Sequence, residues 1–148
     1  MIIGEFTTHN VPTIAPEATL IDAGVALRTA GAPVVAIVEG GQLVGSVSER
    51  DLAVKGCGAG LQPGDVTVWA ICDRNPAVCP AETALSSALA LMRTRGQPWL
   101  LVTDGDKRLS GVVALDALIE LLSGLVPSES TGPEPEYVHR VRGDDVTD

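Results

Sequence analysis

The sequence predicts a mixed α/β (α+β) fold in which two similar repeats, each with the element order β-α-β-β-α, pack sheet to sheet about a pseudo-twofold axis. Three observations predict it: an internal repeat, a helix with start and stop signals in each copy, and a hairpin in each copy. The chain has 148 residues. One copy of roughly 50 residues would bury too little apolar surface to be stable alone, so the two copies are expected to share a core.

The internal repeat relates residues 10–52 to residues 75–118 at a register of 65, which becomes 66 after one inserted residue in the second hairpin. The shared residues are mostly glycines, prolines and apolar residues, and they include the pairs Leu20 and Leu85, Gly31 and Gly96, Pro33 and Pro98, Gly45 and Gly111, and Leu52 and Leu118. Self-similarity at a fixed spacing indicates the architecture before any functional motif is considered.

The first helix of each copy has recognisable ends. In copy one, Thr19 is a good N-cap and Asp22 supports the first turn. Gly31 and Pro33 then stop the helix, because glycine tolerates the left-handed conformation of a helix end and proline cannot continue a helix. In copy two, Thr83 is the predicted cap of the corresponding helix.

Each first helix is followed by a hairpin. Apolar, β-rich runs flank Gly40-Gly41 in copy one and Asp104-Gly105 in copy two, and both dipeptides favour tight turns. A short edge strand precedes each first helix, and a second helix closes each copy. The predicted ranges are 11–15, 34–38, 43–47 and 49–55 in copy one, and 77–79, 99–103, 109–113 and 115–122 in copy two, with a Gly-rich linker at 56–64.

These elements divide the chain into three parts. Copy one with its linker spans residues 1–64, copy two spans residues 65–125, and a tail spans residues 126–148. From Pro127 onward the tail has six acidic and two basic residues and almost no large apolar side chain. Such a composition predicts disorder.

The composition also narrows the class of function. The formal net charge is −9 and the acidic body carries no basic stripe, so nucleic acid is not expected as a partner. No apolar run approaches the roughly 18 residues of a membrane helix, and no signal-peptide pattern opens the chain. A cytoplasmic protein without a membrane partner is therefore expected. Cys57, Cys72 and Cys79 fit no common zinc spacing and are expected to be buried or incidental thiols.

With these elements assigned, the chain resembles a stand-alone pair of CBS (cystathionine β-synthase) domains, also called a Bateman module. The resemblance covers residues 2–122, and its motifs are Pro16-Glu-Ala-Thr-Leu20, Gly31-x-Pro33 before an apolar strand, and Gly45-Ser46-Val47-Ser48-Glu49-Arg50-Asp51-Leu52. It implies a homodimer without catalysis. It also implies a regulatory ligand of the adenosine type, such as AMP, ADP, ATP or S-adenosylmethionine, in a cleft between the copies.

The resemblance further implies which residues bind that ligand. Asp51 matches the aspartate that holds the ribose hydroxyls in the family, and Ser48 matches the hydroxyl residue that helps with ribose or phosphate. Arg50 and Lys55 can meet phosphates near the helix N-terminus. The adenine ring is expected between the edge strand and the residues that lead into the hairpin, namely Thr13, Ile14, Ala32, Pro33, Val34 and Val35.

An alternative interpretation stays open. Ser48 and Asp51 also form the pattern of a plain helix capping box, and Arg50 and Lys55 can be ordinary solvated helix charges. The protein would then be a ligand-free dimeric scaffold that docks an unidentified protein partner. An enzyme would need catalytic groups that converge on a pocket, and the sequence offers no such pattern.

Copy two departs from the binding motif. Ala114 and Ala117 replace the hydroxyl residue and the aspartate, and Asp116 replaces the arginine between them. Trp99 replaces a valine at the start of the hairpin, where it can fill the second base site or simply pack the hairpin against its helix. We therefore expect one competent cleft at most.

Overall fold

The computed structural model describes residues 1–124 as two three-stranded sheets, each with a parallel pair and an antiparallel hairpin. The strands are β1 Thr13–Ile14, β2 Val34–Glu39, β3 Gln42–Ser48, β4 Val78–Pro80, β5 Trp99–Thr103 and β6 Leu109–Ala114. The α-helices are α1 Leu20–Ala30, α2 Glu49–Asp51, α3 Leu85–Arg95 and α4 Leu115–Ser123, and short 3₁₀ helices lie at Ile3–Phe6 and Val68–Ala70. The predicted tail at 126–148 lies outside the described residues.

Three apolar clusters hold these layers together. Two of them lie between a sheet and helices. The third lies between the two sheets and draws on both copies, with Val34, Ala36, Trp99, Leu101 and Val112 at its centre. Successive strand residues point to opposite faces, so each sheet can bury one face against helices and the other against its partner sheet. The predicted sheet-to-sheet packing of two β-α-β-β-α repeats is confirmed.

Helix α1 begins and ends as predicted. The Thr19 hydroxyl accepts a hydrogen bond from the backbone N–H of Asp22, and the Asp22 carboxylate accepts one from the backbone N–H of Thr19 at 2.9 Å. Gly31 follows the last turn in the left-handed conformation, with φ of 63°. A side chain there would be strained, which explains why the helix ends at a glycine.

The N-terminal residues of copy one pack on copy two. In this first lead segment (residues 1–8), the Ile3 N–H donates to the Thr83 carbonyl at 2.8 Å, and the Met1 carbonyl accepts from the Leu85 N–H at 3.0 Å. The prediction that Thr83 caps α3 is wrong, because Ala84 occupies the N-cap position and makes no side-chain cap. The lead segment satisfies backbone groups around the start of α3 instead.

The second lead segment (residues 66–73) does the same for copy one. The Val68 N–H donates to the Ala18 carbonyl at 2.7 Å, and the Val66 carbonyl accepts from the Leu20 N–H at 3.1 Å. Val68 is fully buried in the helix-side cluster of copy one. The lead segments are therefore exchanged between the copies, which ties the two repeats into one folded unit.

Helix α2 continues as a π-helical turn over Leu52–Cys57. The predicted helix end at Lys55 and the predicted linker start at Gly56 are both wrong by two residues. Gly56 is buried, and a Cβ atom on it would lie 3.3 Å from Leu20 Cδ1. This glycine therefore belongs to the packed helix, where its lack of a side chain allows close contact with α1.

Candidate functional site

A cleft of about 510 Å³ opens between the copies at the start of α2. Copy one supplies the end of β3 and the first turn of α2, and copy two supplies the end of α3, the loop after it and part of the second lead segment. The lining residues of this first cleft are Pro33, Ser46, Ser48, Glu49, Arg50, Asp51, Asp73, Arg95, Gly96, Gln97, Pro98 and Trp99. Small-molecule sites typically enclose roughly 300–1,000 Å³, so the volume suits such a ligand.

Ser48 and Asp51 form a complete capping box in this cleft. The Ser48 Oγ accepts from the Asp51 N–H at 3.0 Å, and Asp51 Oδ2 accepts from the Ser48 N–H at 2.9 Å. The second carboxylate oxygen, Oδ1, lies 3.3 Å from Lys55 Nζ. The Lys55 side chain is 50% exposed, and an ion pair with so exposed a partner holds little free energy. Oδ1 can therefore exchange the ammonium group for a ligand hydroxyl without loss of the cap.

Two guanidinium groups line the same cleft. Arg50 lies in the first turn of α2, and Arg95 is the last residue of α3. Arg95 Nη2 lies 3.1 Å from Asp73 Oδ2 and also donates to the Asn75 carbonyl. These contacts hold the Arg95 guanidinium against the cleft wall. Arginine has five N–H donors, so the group retains donors for an anion.

Ser46 contributes a buried hydroxyl group to the cleft. The residue is 1% exposed, and within residues 1–124 its Oγ has no hydrogen-bond partner. Its backbone is fully paired with Asp73, since the Ser46 N–H donates to the Asp73 carbonyl at 3.0 Å and its carbonyl accepts from the Asp73 N–H at 2.9 Å. Buried hydroxyl groups are nearly always satisfied, so this one requires an explanation.

Four of the ten residues predicted from the sequence line the first cleft together: Pro33, Ser48, Arg50 and Asp51. The other six, Thr13, Ile14, Ala32, Val34, Val35 and Lys55, are not among its lining residues. The two edge-strand residues pair with Ala36 and Ile37 in the sheet. Val34 packs in the cluster between the sheets, and Lys55 connects to the site through its ion pair with Asp51.

Sequence reasoning missed several lining residues, among them Ser46, Asp73, Arg95 and Gln97. Asp73, Arg95 and Gln97 were missed because the first turn of α2 faces residues of copy two as well as Pro33 of its own copy. The sequence did hold a signal, since the repeat register aligns Arg95 with an alanine and Asp73 with a threonine in copy one. Trp99 also lines the first cleft, where it is 5% exposed and part of the inter-sheet cluster.

The family follows from a direct match. The model of the CBS domain family matches residues 3–55 and residues 68–124, which together make up most of the chain. The two matched ranges coincide with the two structural repeats. The protein therefore belongs to the CBS domain family and contains a tandem CBS pair.

Similar proteins support this assignment. An uncharacterized protein of Methanopyrus kandleri is 26% identical over 125 residues, which cover 84% of this chain and 64% of that relative. The chain thus spans less than two thirds of the relative's length. The CBS domain pair of protein MJ0100, solved in complex with 5′-methylthioadenosine and S-adenosyl-L-methionine, superposes with a TM-score of 0.77 at 19% identity, over 85% of this chain and 98% of that one.

The cytosolic domain of the Mg²⁺ channel MgtE, solved in complex with ATP, superposes with a TM-score of 0.68 at 23% identity. That match covers 81% of this chain and 48% of the channel domain. At such identities, the likeness to both solved structures shows the shared fold.

Other chemistry is sparse in the part of the chain that the structure describes. Across residues 1–124, His, Cys, Asp and Glu side chains form no group of three or more that could hold a metal ion. No helix in that range is long and apolar enough to cross a membrane. Burial raises the pKa of the Cys72 and Cys79 thiols, so a smaller share of each is present as the reactive thiolate.

Proposed function

We propose that this tandem CBS pair is a regulatory module that binds an adenosine-containing ligand in the first cleft and catalyses no reaction. The candidate ligands are AMP, ADP, ATP and S-adenosylmethionine. One observation carries the proposal: polar side chains from both copies converge on a single cavity of ligand size. The complexes of the MJ0100 pair with adenosyl compounds and of the MgtE domain with ATP support this class of ligand.

The cleft offers a distinct partner for each part of such a ligand. Asp51 Oδ1 can accept hydrogen bonds from two neighbouring ribose hydroxyls once Lys55 swings away, and charge-assisted bonds of this kind are strong. Ser48 lies beside it at the helix N-terminus. Arg50 and Arg95 can meet the charged tail of the ligand, whether a phosphate or a carboxylate, from opposite copies.

Contacts on both copies are what turn binding into a signal. A ligand held by Asp51 on copy one and by Arg95 on copy two favours one relative position of the repeats over others. We propose that a homodimer transmits this change. Exposed apolar side chains on α1 (Ile21, Val25) and on α4 (Ile119, Leu121) support association through helix faces.

The test compares two aspartates that do the same structural work. Asp22 forms the same capping box on α1 as Asp51 does on α2, but it does not line the first cleft. Asp22→Ala and Asp51→Ala should each lower the free energy of unfolding by about 1 kcal/mol. A ligand at 100 times its dissociation constant should stabilise wild type and Asp22→Ala by about 2.7 kcal/mol, and Asp51→Ala far less.

Thermal unfolding with each of the four ligands, followed by calorimetric titration, provides the readout. A ligand shift that persists in Asp51→Ala would remove this residue from the site. Absence of a shift in wild type with every ligand would reject the proposed function. Light scattering on the same samples should give twice the chain mass of 15.3 kDa.

A second candidate function is a ligand-free dimeric scaffold that docks a protein partner. Its specific support is the capping box itself, which is complete without a ligand, with both Asp51 oxygens already engaged. Under this function Asp51→Ala and Asp22→Ala should behave alike in every assay. Wild type should then retain its mass as a dimer but show no stabilisation by any adenosine compound.

A further inference from the structure

The Ser46 hydroxyl is a buried polar group of the first cleft that has no part in the ligand contacts described above. It is buried, it lines the cleft, and its oxygen finds no partner within residues 1–124. Leaving a hydroxyl in that state costs free energy, because it gives up its hydrogen bonds to water and receives none in return. A partner supplied from inside the cleft would offset this cost.

The direction of the side chain follows from strand alternation in β3. Val47 packs into the helix-side cluster, so Ser46 and Ser48 point to the opposite face of the sheet, toward the partner sheet and the cleft. At the aligned position of copy two, Val112 belongs to the apolar cluster between the sheets. Copy one thus carries a hydroxyl where the fold needs only an apolar side chain.

The backbone of Ser46 is not free to move the hydroxyl elsewhere. Its N–H and carbonyl are both bonded to Asp73 of the second lead segment, and it pairs with Ala36 in the hairpin. These contacts therefore fix the Cα and Cβ atoms of Ser46 at the inner end of the cleft. Ser48, two residues further along the same face, is slightly more exposed.

We propose that the Ser46 hydroxyl bonds directly to the bound ligand and recognises the polar edge of its heterocyclic base. This inference rests on the proposed function and assigns a direction to the ligand. Ser46 and Ser48 are two residues apart on β3, which corresponds to about 6.5 Å. Ser46 therefore lies that far from the part of the cleft where Ser48 and Asp51 would bind ribose. The base then lies inward beside Trp99, and the charged tail points out toward Arg50 and Arg95.

A serine hydroxyl both donates and accepts a hydrogen bond, so it can meet either a ring nitrogen or an exocyclic amino group. A ligand without a polar atom at this end would leave the hydroxyl unsatisfied in the complex. Sites that are built to hydrogen bond a ligand reject analogues that lack the bonding atom, because the buried group is then left without a partner. Ser46 is thus a specificity-determining residue of the first cleft.

The test removes one hydroxyl inside the cleft and one outside it. Ser46→Ala should weaken the binding of AMP or S-adenosylmethionine by roughly tenfold, since one buried hydrogen bond to the ligand is lost. Its melting temperature without ligand should equal or exceed that of wild type, because the variant removes an unpaired group. The matched control is Ser110→Ala on β6, where the hydroxyl donates to the Val102 carbonyl at 3.1 Å. That variant should melt lower and bind ligand as wild type does.

Each other result points to a different conclusion. If wild type and Ser46→Ala bind the ligand equally well, the hydroxyl does not contact it, and the inference fails while the proposed function stands. If Ser46→Ala melts lower than wild type without ligand, the hydroxyl is satisfied within the fold, for example by a structural water, and the inference also fails. If wild type binds neither AMP nor S-adenosylmethionine, the ligand site and this inference fail together.

Discussion

The first cleft and its pseudo-twofold counterpart share a framework but differ in chemistry. The repeat register places Val112, Ala114, Asp116 and Ala117 where the first cleft has Ser46, Ser48, Arg50 and Asp51, and it places Thr8, Ala30 and Ala32 where the first cleft has Asp73, Arg95 and Gln97. The backbone is conserved across the pair, down to the bridges between Ser46 and Asp73 and between Thr8 and Val112. The fold thus offers two equivalent positions, and most of the polar groups occupy one of them.

Both copies contribute to the asymmetry between the two clefts. Copy one has polar residues on α2, and copy two has them at the end of α3 and in the second lead segment, and both regions line the first cleft. The second position instead has Val112, Ala114 and Ala117 at the aligned places, and Val112 adds to the apolar contact between the sheets. The polar groups are thus concentrated in the first cleft, where we propose that the ligand binds.

The largest expected effect concerns how closely each lead segment packs against the hairpin strand beside it. A Cβ on Gly111 would overlap the Thr7 side chain and the Thr8 carbonyl, whereas a Cβ on Gly45 would lie 3.1 Å from the Asp73 carbonyl. Overpacking of this kind typically costs about 1–3 kcal/mol. We expect Gly111→Ala to lower the free energy of unfolding in urea by about 3 kcal/mol, and Gly45→Ala by about 1 kcal/mol.

Gly105→Ala is the control for this comparison, because a Cβ there would meet no atom within 4 Å. It should change stability by less than about 0.5 kcal/mol. Equal losses at Gly45 and Gly111, or a larger loss at Gly45, would show that the first cleft is sealed as tightly as the second.

Local patterns predicted much of the fold and part of the site. Thr19 and Gly31 marked the ends of α1 because capping and left-handed glycine are interactions among neighbours in sequence. Ser48 and Asp51 came together for the same reason, since a capping box spans only four residues. The internal repeat and the small size of one copy predicted the sheet-to-sheet arrangement of the two repeats.

The sequence did not indicate which residues of copy two lie opposite α2 in the first cleft. The exchange of the lead segments depends on packing between residues far apart in the sequence, as the bond from Ile3 to Thr83 shows. No local signal near Asp73 or Arg95 indicates that exchange. The Thr83 cap failed for the same reason, because the backbone bonds around the start of α3 come from Ile3 and Met1. A search along the repeat register for polar residues present in only one copy would have indicated the residues that copy two contributes to the first cleft.

Arg95 provides a smaller and more selective test of the two-sided cleft. Arg95→Ala replaces the arginine of the first cleft with alanine, which is the residue at the aligned position 30 of copy one. We expect the affinity for AMP to fall by about tenfold, as one charge-assisted hydrogen bond to the anionic tail is lost. The affinity for adenosine, which lacks that tail, should stay within about twofold of wild type, well below the tenfold step of one lost bond.

Arg93→Ala is the matched control, because Arg93 lies in the same helical turn but does not line the first cleft. Calorimetric titration of both variants with AMP and adenosine gives the four affinities needed. If Arg93→Ala lowers the affinity for AMP as much as Arg95→Ala does, the effect comes from the overall positive charge rather than from a direct contact of Arg95 with the ligand. An equal loss for adenosine and AMP in Arg95→Ala would mean that the variant disturbs the Asp73 contact and hence the cleft itself.

The smallest expected effect comes from a variant that restores a helix cap in copy two without restoring the other polar residues of the cleft. Ala114 occupies the N-cap position of α4 with extended backbone angles and makes no side-chain cap. Ala114→Ser should therefore raise the free energy of unfolding by about 1 kcal/mol. It should not create a second ligand site, because Val112, Asp116 and Ala117 supply neither the buried hydroxyl, nor the cation, nor the carboxylate that we propose binds ribose. Chemical unfolding gives the stability, and titration gives the stoichiometry. A stoichiometry that rises from one to two ligands per chain would show that a hydroxyl at the helix start suffices for binding, and that the remaining differences between the clefts are incidental.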